Sequence, residues 1–481
     1  MCCGSMRLPV VRGPGKVRLT FDQGTLLLDP PELPEGVEAP DCFRADPRLG
    51  GRRRAPAIQY RRALASLIRA GLEVDDQARG YEELELELRI DREPFPHQAE
   101  ALEAWLAARK RGVVVLPTGA GKSHVAIMAI AQTSRSTLIV APTIDLMTQW
   151  MNLLSTQFGE ALVGGLGGGL NDVRALTVTT YDSAYLHMPR LGGRFGLIVF
   201  DECHHLPGPS YAQAAECAIA PFRLGLSATP ERNDGRHLTL DHLIGPRVYE
   251  RGIRDMSGRY LADYEVARMR VHLTPEERAE HDRCRGLYRQ FIVASQIRIS
   301  SPQGWSRFIQ ESSRSRAGRR AWLAWREQKR IALQCAAKMS LLNDLIWQHR
   351  EDSVIVFTAD NDTVYEISRR HLMPAITHQT PTEERRWILQ AFNEGRLPAV
   401  VTSKVLNEGV DMPAARVGIV LSGSGSVREH VQRLGRILRR HGDKEAVLYE
   451  VITAGTSEEH ISDRRREHHA YDRPEDSNAD G

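Results

Sequence analysis

The most constraining passage is Leu116-Pro117-Thr118-Gly119-Ala120-Gly121-Lys122-Ser123, which directly follows the apolar run Val113–Leu116 and precedes the helix-like stretch His124–Gln132. Glycines let successive backbone N–H groups converge on phosphate oxygens without a Cβ in the way, and the start of the following helix favours an anion. Lys122 is placed to reach β- and γ-phosphates, and the Ser123 hydroxyl to ligate Mg²⁺. Leu116 departs from the full pattern, which asks for glycine there. Strand before and helix after make a phosphate cradle a better reading than a chance Gly-Lys-Ser turn.

A second passage, Asp201-Glu202-Cys203-His204, follows the apolar run Leu197–Phe200. Carboxylates at the C-terminal end of a strand face the same crevice as the glycine loop when the two strands are neighbours. Asp201 is then expected to hold Mg²⁺, commonly through water, and Glu202 to polarise an attacking water. A solvated acidic strand end is the alternative for an isolated Asp-Glu pair, and the pairing with Lys122–Ser123 argues against it.

The surrounding chain predicts an α/β protein. Short apolar runs at Val113–Leu116, Thr137–Val140, Ala175–Val178, Leu197–Phe200 and Leu224–Leu226 alternate with helical stretches, as in a doubly wound parallel sheet covered on both faces. The pattern returns at Val354–Phe357, Ala399–Thr402, Val417–Leu421 and Ala446–Val451, so two such lobes are expected. Between them, Glu276–Arg330 carries thirteen Lys/Arg against six Asp/Glu, with Trp305, Phe308, Trp322 and Trp325 interleaved. That segment reads as a basic helical insertion, its tryptophans as core and its arginines as a nucleic-acid face. The expected division is a small α+β domain over 1–90, a first lobe over 91–255, linker and insertion over 256–337, a second lobe over 338–456, and a frayed tail over 457–481. In the small domain, Leu64, Leu67 and Ile68 are expected to share one helix face.

Composition narrows the class further. The chain has 481 residues, with 64 Lys+Arg against 61 Asp+Glu and a net charge of +3, which excludes a histone-like polycation or an acidic tail protein. No apolar stretch is long enough to span a membrane and the start lacks a secretory core. Seven cysteines form no CxxC pair and no zinc-spaced cluster. Reduced thiols, no structural metal and a cytoplasmic location, nucleoid-associated in a prokaryote, are the expectations.

Further short words follow in an order that resembles superfamily 2 helicases. They are Phe95-Pro96-His97-Gln98, Ala141-Pro142-Thr143, Thr179-Thr180-Tyr181, Ser227-Ala228-Thr229, Val356-Phe357-Thr358, Asn407-Glu408-Gly409-Val410-Asp411 and Gln432–Arg439. Within that superfamily, Ser227–His237, Pro374–His378 and Ser422–Ser426 leading into Gln432–Arg439 resemble the XPB family in its compact archaeal and bacterial form. The resemblance covers about residues 20–455.

What the resemblance implies is an ATP-dependent DNA helicase or translocase of 3′-to-5′ polarity, with a role in DNA repair. It makes residues 1–90 a damage-recognition-like domain and the basic insertion a DNA-gripping thumb. ATP and Mg²⁺ are the implied cofactors. Single-stranded, forked or duplex DNA is the implied partner, together with a nuclease or a repair or transcription factor. Gln98 would read adenine, although Phe95 and His97 stand where the family commonly has Arg and Tyr. Gly409 and Asp411 would approach the ribose. Arg436 and Arg439, three apart on an expected helix, would bring guanidinium groups to the γ-phosphate from the second lobe, and Gln432 would contact that phosphate or the attacking water. His204 and Ser227–Thr229 would relay hydrolysis. Thr143, Thr180 and Thr402 are candidate DNA-contacting hydroxyls, with helix caps or strand-end hydroxyls as the alternative. Arg232-Asn233-Asp234 stands for the family's Arg-Glu-Asp loop, implicated in opening duplex DNA, so Asn233 keeps alive a duplex translocase that does not separate strands. A nucleotide-switched DNA-bound scaffold is the reading from another class.

Overall fold

The computed structural model describes residues 16–30, 33, 39–232, 234–256, 264–299, 301, 303–403, 415–422 and 446–459. Two compact units form, Met1–Leu116 with Gly121–Arg251 and Pro117–Ala120 with Gly252–Gly481.

The first unit begins with β1 (Lys16–Asp22) and β2 (Thr25–Asp29), joined through Gln23 and Gly24 at φ 46° and 77°, the positive values a two-residue hairpin needs. Val17 and Leu19 of β1 and Leu26 and Leu28 of β2 alternate into one core face. With β3 (Arg44–Ala45), β4 (Arg53–Pro56), α1 (Tyr60–Arg69) and β5 (Glu73–Asp76) they make a five-stranded sheet ordered β3-β4-β2-β1-β5. Helix α1 buries Tyr60, Ala63 and Leu67, while Ile68 is 58% exposed. The expected face is therefore corrected by one step: the stripe runs 60, 63, 67, and Leu64 is its flank.

The larger sheet of this unit is built from β6 (Arg111–Val115), β7 (Thr137–Ala141), β8 (Val163–Gly167), β9 (Leu170–Asp172), β10 (Leu176–Thr180), β11 (Leu197–Phe200), β12 (Phe222–Ser227) and β13 (Arg247–Glu250). Their order is β13-β6-β12-β11-β7-β10-β8-β9, parallel throughout except for the β8–β9 pair. Helices α2 (Pro96–Ala107), α3 (Lys122–Thr133), α4 (Ile144–Phe158), α5 (Tyr181–Leu191), α6 (Ala212–Glu216) and α7 (Leu240–Leu243) supply the connections. Every residue of β7 and β11 is buried, which is why these strands read as unbroken apolar runs. The two sheets share their interiors: Ile219 belongs to the small core, and Ile58 to the large one.

The second unit contains α8 (Ile253–Met256), β14 (Tyr264–Val271), α9 (Pro275–Ala294), α10 (Gly304–Ser313), α11 (Arg316–Gln334), α12 (Ala336–Gln348), β15 (Val354–Phe357), α13 (Asn361–His371), β16 (Ala375–Ile376), α14 (Thr382–Asn393), β17 (Ala399–Thr402), β18 (Val417–Val420) and β19 (Ala446–Thr453). Its sheet is ordered β14-β19-β18-β15-β17-β16 with every pair parallel. Strand β14 lies in the stretch read from sequence as linker, yet it pairs along its whole length with β19. The basic bundle α9–α11 is thus inserted after the first strand of this sheet. Phe308 is its fully buried centre, with Trp305 39% exposed and only flanking it; a phenylalanine leaves no polar group unpaired in a dry core, whereas a tryptophan N–H needs a partner. Glu458, placed by the sequence in the frayed tail, instead pairs with the fully buried Lys338.

Candidate nucleotide-hydrolysis site

In the loop between β6 and α3, Gly119 and Gly121 have φ 89° and 81°. Any Cβ on Gly121 would also stand 2.2 Å from Gln98 Nε2, so a side chain there would strain the backbone and displace the Gln98 amide. Lys122 is buried, and its Nζ donates to the carbonyl of Leu116 at 3.2 Å. Only the backbone of Leu116 serves the loop, and its side chain is buried in the core, which accounts for leucine where glycine was asked for. Ser123 sits in the first turn of α3. Thr118 Oγ1 is buried with no hydrogen-bond partner among the described residues, an acceptor and donor available to a phosphate.

The C-terminal end of β11 carries the carboxylates. Asp201 is 8% exposed; its Oδ2 accepts from Trp150 Nε1 at 2.8 Å, its Oδ1 from the Glu202 N–H at 3.0 Å, and its carbonyl from Tyr181 OH at 2.9 Å. Burial, with the adjacent Glu202 carboxylate, pushes Asp201 up to about 6, against the pull of the Trp150 N–H and the Lys122 ammonium. The glycine-loop lysine and the acidic pair therefore lie within electrostatic reach in one unit. Glu202 is a non-glycine residue at φ 45°, a costly left-handed conformation just past the end of β11. Its Oε2 lies 3.3 Å from His204 Nδ1 and accepts from Ser227 Oγ at 3.5 Å. Ser227 Oγ is 3.2 Å from His204 Nδ1 and accepts from the Thr229 N–H at 3.2 Å. His204 and Ser227, members of the expected relay, form one triangle with Glu202, the carboxylate expected to polarise the attacking water.

Sequence reasoning missed Trp150 and Tyr181. The signal was present: an indole N–H or a phenol buried on a helix must find an acceptor, and Tyr181 directly follows Thr180 while Trp150 lies on the helix that Thr143 begins.

The remaining candidates fall into four groups. Gln98 is buried, its Oε1 accepting from the Phe95 N–H at 3.0 Å at the start of α2 and its Nε2 3.5 Å from the Gly121 carbonyl. Phe95 is exposed, stacked on His97 at 5.8 Å. Thr143 and Thr180 cap α4 and α5, accepting from Leu146 N and Ser183 N; Thr402 is fully buried and donates to the carbonyl of Ile376 at 3.0 Å. Arg232 donates to the carbonyl of His204 at 2.9 Å and grips Asp234 through Nε and a terminal nitrogen at 3.0 and 2.7 Å, which holds the Asp234 carboxyl well below the usual carboxylate range. Asn233, Gly409, Asp411, Gln432, Arg436 and Arg439 lie outside the described residues.

The donor set fits Mg²⁺ of the kind that keeps water and phosphate ligands. Asp201 and Ser123 offer one carboxylate and one hydroxyl, and no cluster of three or more His, Cys, Asp or Glu exists among the described residues to cage an ion. A carboxyl raised to about 6 by burial binds a cation on giving up its proton.

Three family profiles match: the type III restriction enzyme res subunit over residues 91–232, the helicase conserved C-terminal domain over 337–441, and the xeroderma pigmentosum group B helicase damage recognition domain over 19–78. The DNA 3′-5′ translocase XPB2 of Sulfurisphaera tokodaii is 39% identical over 86% of this chain and 96% of that protein. The DNA 3′-5′ helicase XPB of Mycobacterium tuberculosis is 30% identical over 74% of this chain and 60% of that protein, so the present chain spans less than two thirds of that longer relative. Among solved structures, the Hef helicase domain of Pyrococcus furiosus aligns at TM-score 0.50 with 17% identity over 76% of this chain and 97% of that one. Dbp5 of S. cerevisiae aligns at 0.54 with 15% identity over 79% and 88%. These two show a shared fold of helicase lobes. Profile order, the near full-length relative and the buried Lys122–Asp201–Glu202 site agree that the chain belongs to the XPB family of superfamily 2 helicases.

Proposed function

We propose that this chain is an ATP-dependent 3′-to-5′ DNA helicase or translocase serving DNA repair, with ATP hydrolysed between Lys122 and the Asp201–Glu202 pair. The observation that carries the reading is the buried triangle of Glu202, His204 and Ser227 beside Asp201. Ser123 and Asp201 would hold Mg²⁺, which when bound would supply positive charge beside the β- and γ-phosphates. Lys122 neutralises the same phosphates, and Glu202 orients and polarises the attacking water. His204 and Ser227 feel any change at Glu202 and pass it to Thr229 and, through the His204 carbonyl, to Arg232. Gln432, Arg436 and Arg439 are assigned to complete the site from the second lobe by stabilising charge that develops on the γ-phosphate. Gln98 is assigned to adenine, Gly409 and Asp411 to the ribose, and Thr143 and Thr180 to DNA phosphates. Among the described residues no helix is long and apolar enough to cross a membrane. The partner on this reading is DNA, together with a nuclease or a repair or transcription factor.

Lys122→Ala should lower kcat for ATP by about 10²–10³-fold while leaving the fold and DNA binding in place. DNA-stimulated turnover retained in that variant would contradict the assignment. A duplex translocase that leaves strands paired is the second reading. Asn233 in the middle of its loop and the grip of Arg232 on Asp234 favour it. Strand displacement measured beside triplex displacement separates the two.

A further inference from the structure

Arg314 and Ser315 alone join α10 to α11, and the chain around this turn gathers positive charge. Four arginines fall within Arg314–Arg320, and the first turn of α11 carries no acidic residue. Cations in a first turn oppose the helix dipole and cost the helix stability, so the fold does not account for them. Arg314 is neutralised by Glu311 at 2.9 Å. Arg316 and Arg319 are exposed and meet no carboxylate among the described residues.

Packing holds this cluster in place. Ser315 caps α11, its Oγ accepting from the Gly318 N–H at 3.0 Å. Gly318 is buried, and a Cβ on it would stand 2.7 Å from Ser312 Cα, so α11 starts in direct contact with the end of α10. Beside this contact lies a hollow of about 630 Å³ bordered by Ile309, Ser313, Arg316, Arg319 and Trp322, among others, a volume in the range of small-ligand clefts. Arg316, Arg319 and Trp322 follow one another at intervals of three and share one face of α11. Arg326, one turn further on, lays its guanidinium 5.0 Å over the Trp322 ring. Trp322 was expected as core and is only half-buried, since Phe308 already fills the centre of the bundle.

An aromatic ring bordering a hollow beside two unpaired guanidinium groups matches the two parts of a nucleotide. Indole faces stack on bases whatever the sequence, and guanidinium groups pair with phosphate. Bases in a duplex are stacked on one another and cannot reach the ring, whereas the arginines meet the phosphates of either form. We propose that this hollow receives one unpaired base of single-stranded DNA on Trp322, with Arg316 and Arg319 on the adjoining phosphates. The proposal rests on the helicase reading and adds to it that the α10–α11 tip distinguishes an opened strand from a closed one.

The test is equilibrium binding of the full chain, without nucleotide, to three probes at several salt concentrations, beside thermal melting. The probes are an oligothymidylate, a strand of equal length made of abasic sites, and a duplex of that length. Trp322→Ala should weaken binding to the oligothymidylate about tenfold and leave the abasic strand and the duplex within about twofold of wild type. Trp322→Phe, which keeps a ring, should recover most of that loss. Arg316→Gln with Arg319→Gln should weaken all three and lower the slope of log affinity against log salt by about 1–2. Ser313→Leu fills the hollow from an exposed position; it should reproduce the Trp322→Ala pattern, and it decides the matter should Trp322→Ala fail to fold. Folded variants in which single strand and duplex lose affinity alike overturn the proposal, as do folded variants that lose none, the result expected of an acidic peptide as the occupant. A wild-type chain that binds no form of DNA at low salt overturns the helicase reading itself.

Discussion

Arg223 in the first unit and Lys338 in the second are both fully buried cations, and they are held in different ways. Arg223, on β12, donates only to carbonyls: Ala220 at 3.2 Å, Ala215 at 3.0 Å, Leu243 at 2.7 Å and Ala218 at 2.7 Å. It gathers the C-terminal ends of the short helices α6 and α7, where the peptide dipoles are negative. Burial, with the like charge of Arg111, lowers its pKa well below the ordinary guanidinium value. Lys338 instead divides its donors between the Leu421 carbonyl and the Glu458 carboxylate. A guanidinium fans over several fixed acceptors and acts as a static brace, whereas an ammonium facing a carboxylate depends on a partner that can be taken away.

Breaking the brace should have the largest effect. Arg223→Met leaves four buried carbonyls without their donor and should lower the unfolding free energy of the first unit by about 5 kcal/mol, read from a urea titration. Arg223→Lys should recover little of it, because three N–H donors cannot cover four diverging carbonyls. Lys338→Met should cost about 3 kcal/mol by stranding Glu458, and Lys338→Met combined with Glu458→Leu should regain most of that loss. A double variant no better than the single one would assign the cost to the Leu421 carbonyl and remove the contrast between the two cations. The smallest effects concern hydroxyls. Thr143→Ala should cost about 1 kcal/mol as a lost helix cap and weaken DNA binding as well. Thr402→Val should cost a similar amount, about 1 kcal/mol, and leave DNA affinity unchanged, since its hydroxyl is committed to Ile376.

The strands and the glycine loop were legible because their physics is local. A strand buried on both faces has to be a run such as Leu197–Phe200, and a phosphate loop needs glycines at particular torsions. Acidic pair, relay histidine and Ser227 were legible as words in order. Residues whose role is set by distant chain were not. Arg223 stood as a lone charge in the apolar strand Phe222–Ser227, and Lys338 as a lone charge in Ala336–Leu342, which is a signal for a buried cation but not for its acceptors. Glu458 looked like tail because its partner lies 120 positions earlier. Strand β14 carries Glu265, Arg268 and Arg270 and so lacked the apolar run that marked its neighbours. Trp305 and Phe308 are alike in hydrophobicity, and only the packing of α9 against α11 decides which is dry.

The shared interiors of the two sheets in the first unit also settle what can be cut away. Gly24 approaches Cys217 so closely that a Cβ would stand 2.5 Å from its Sγ, and the Gly80 N–H donates to the Gly193 carbonyl at 3.0 Å. Just beyond Gly80, Glu82 and Leu84 hydrogen-bond to Ser136 and Ser134. A fragment starting near residue 91 would leave Ile219 bare and that seam open. The small sheet is the keel of the larger one, and neither can be removed without opening the core they share.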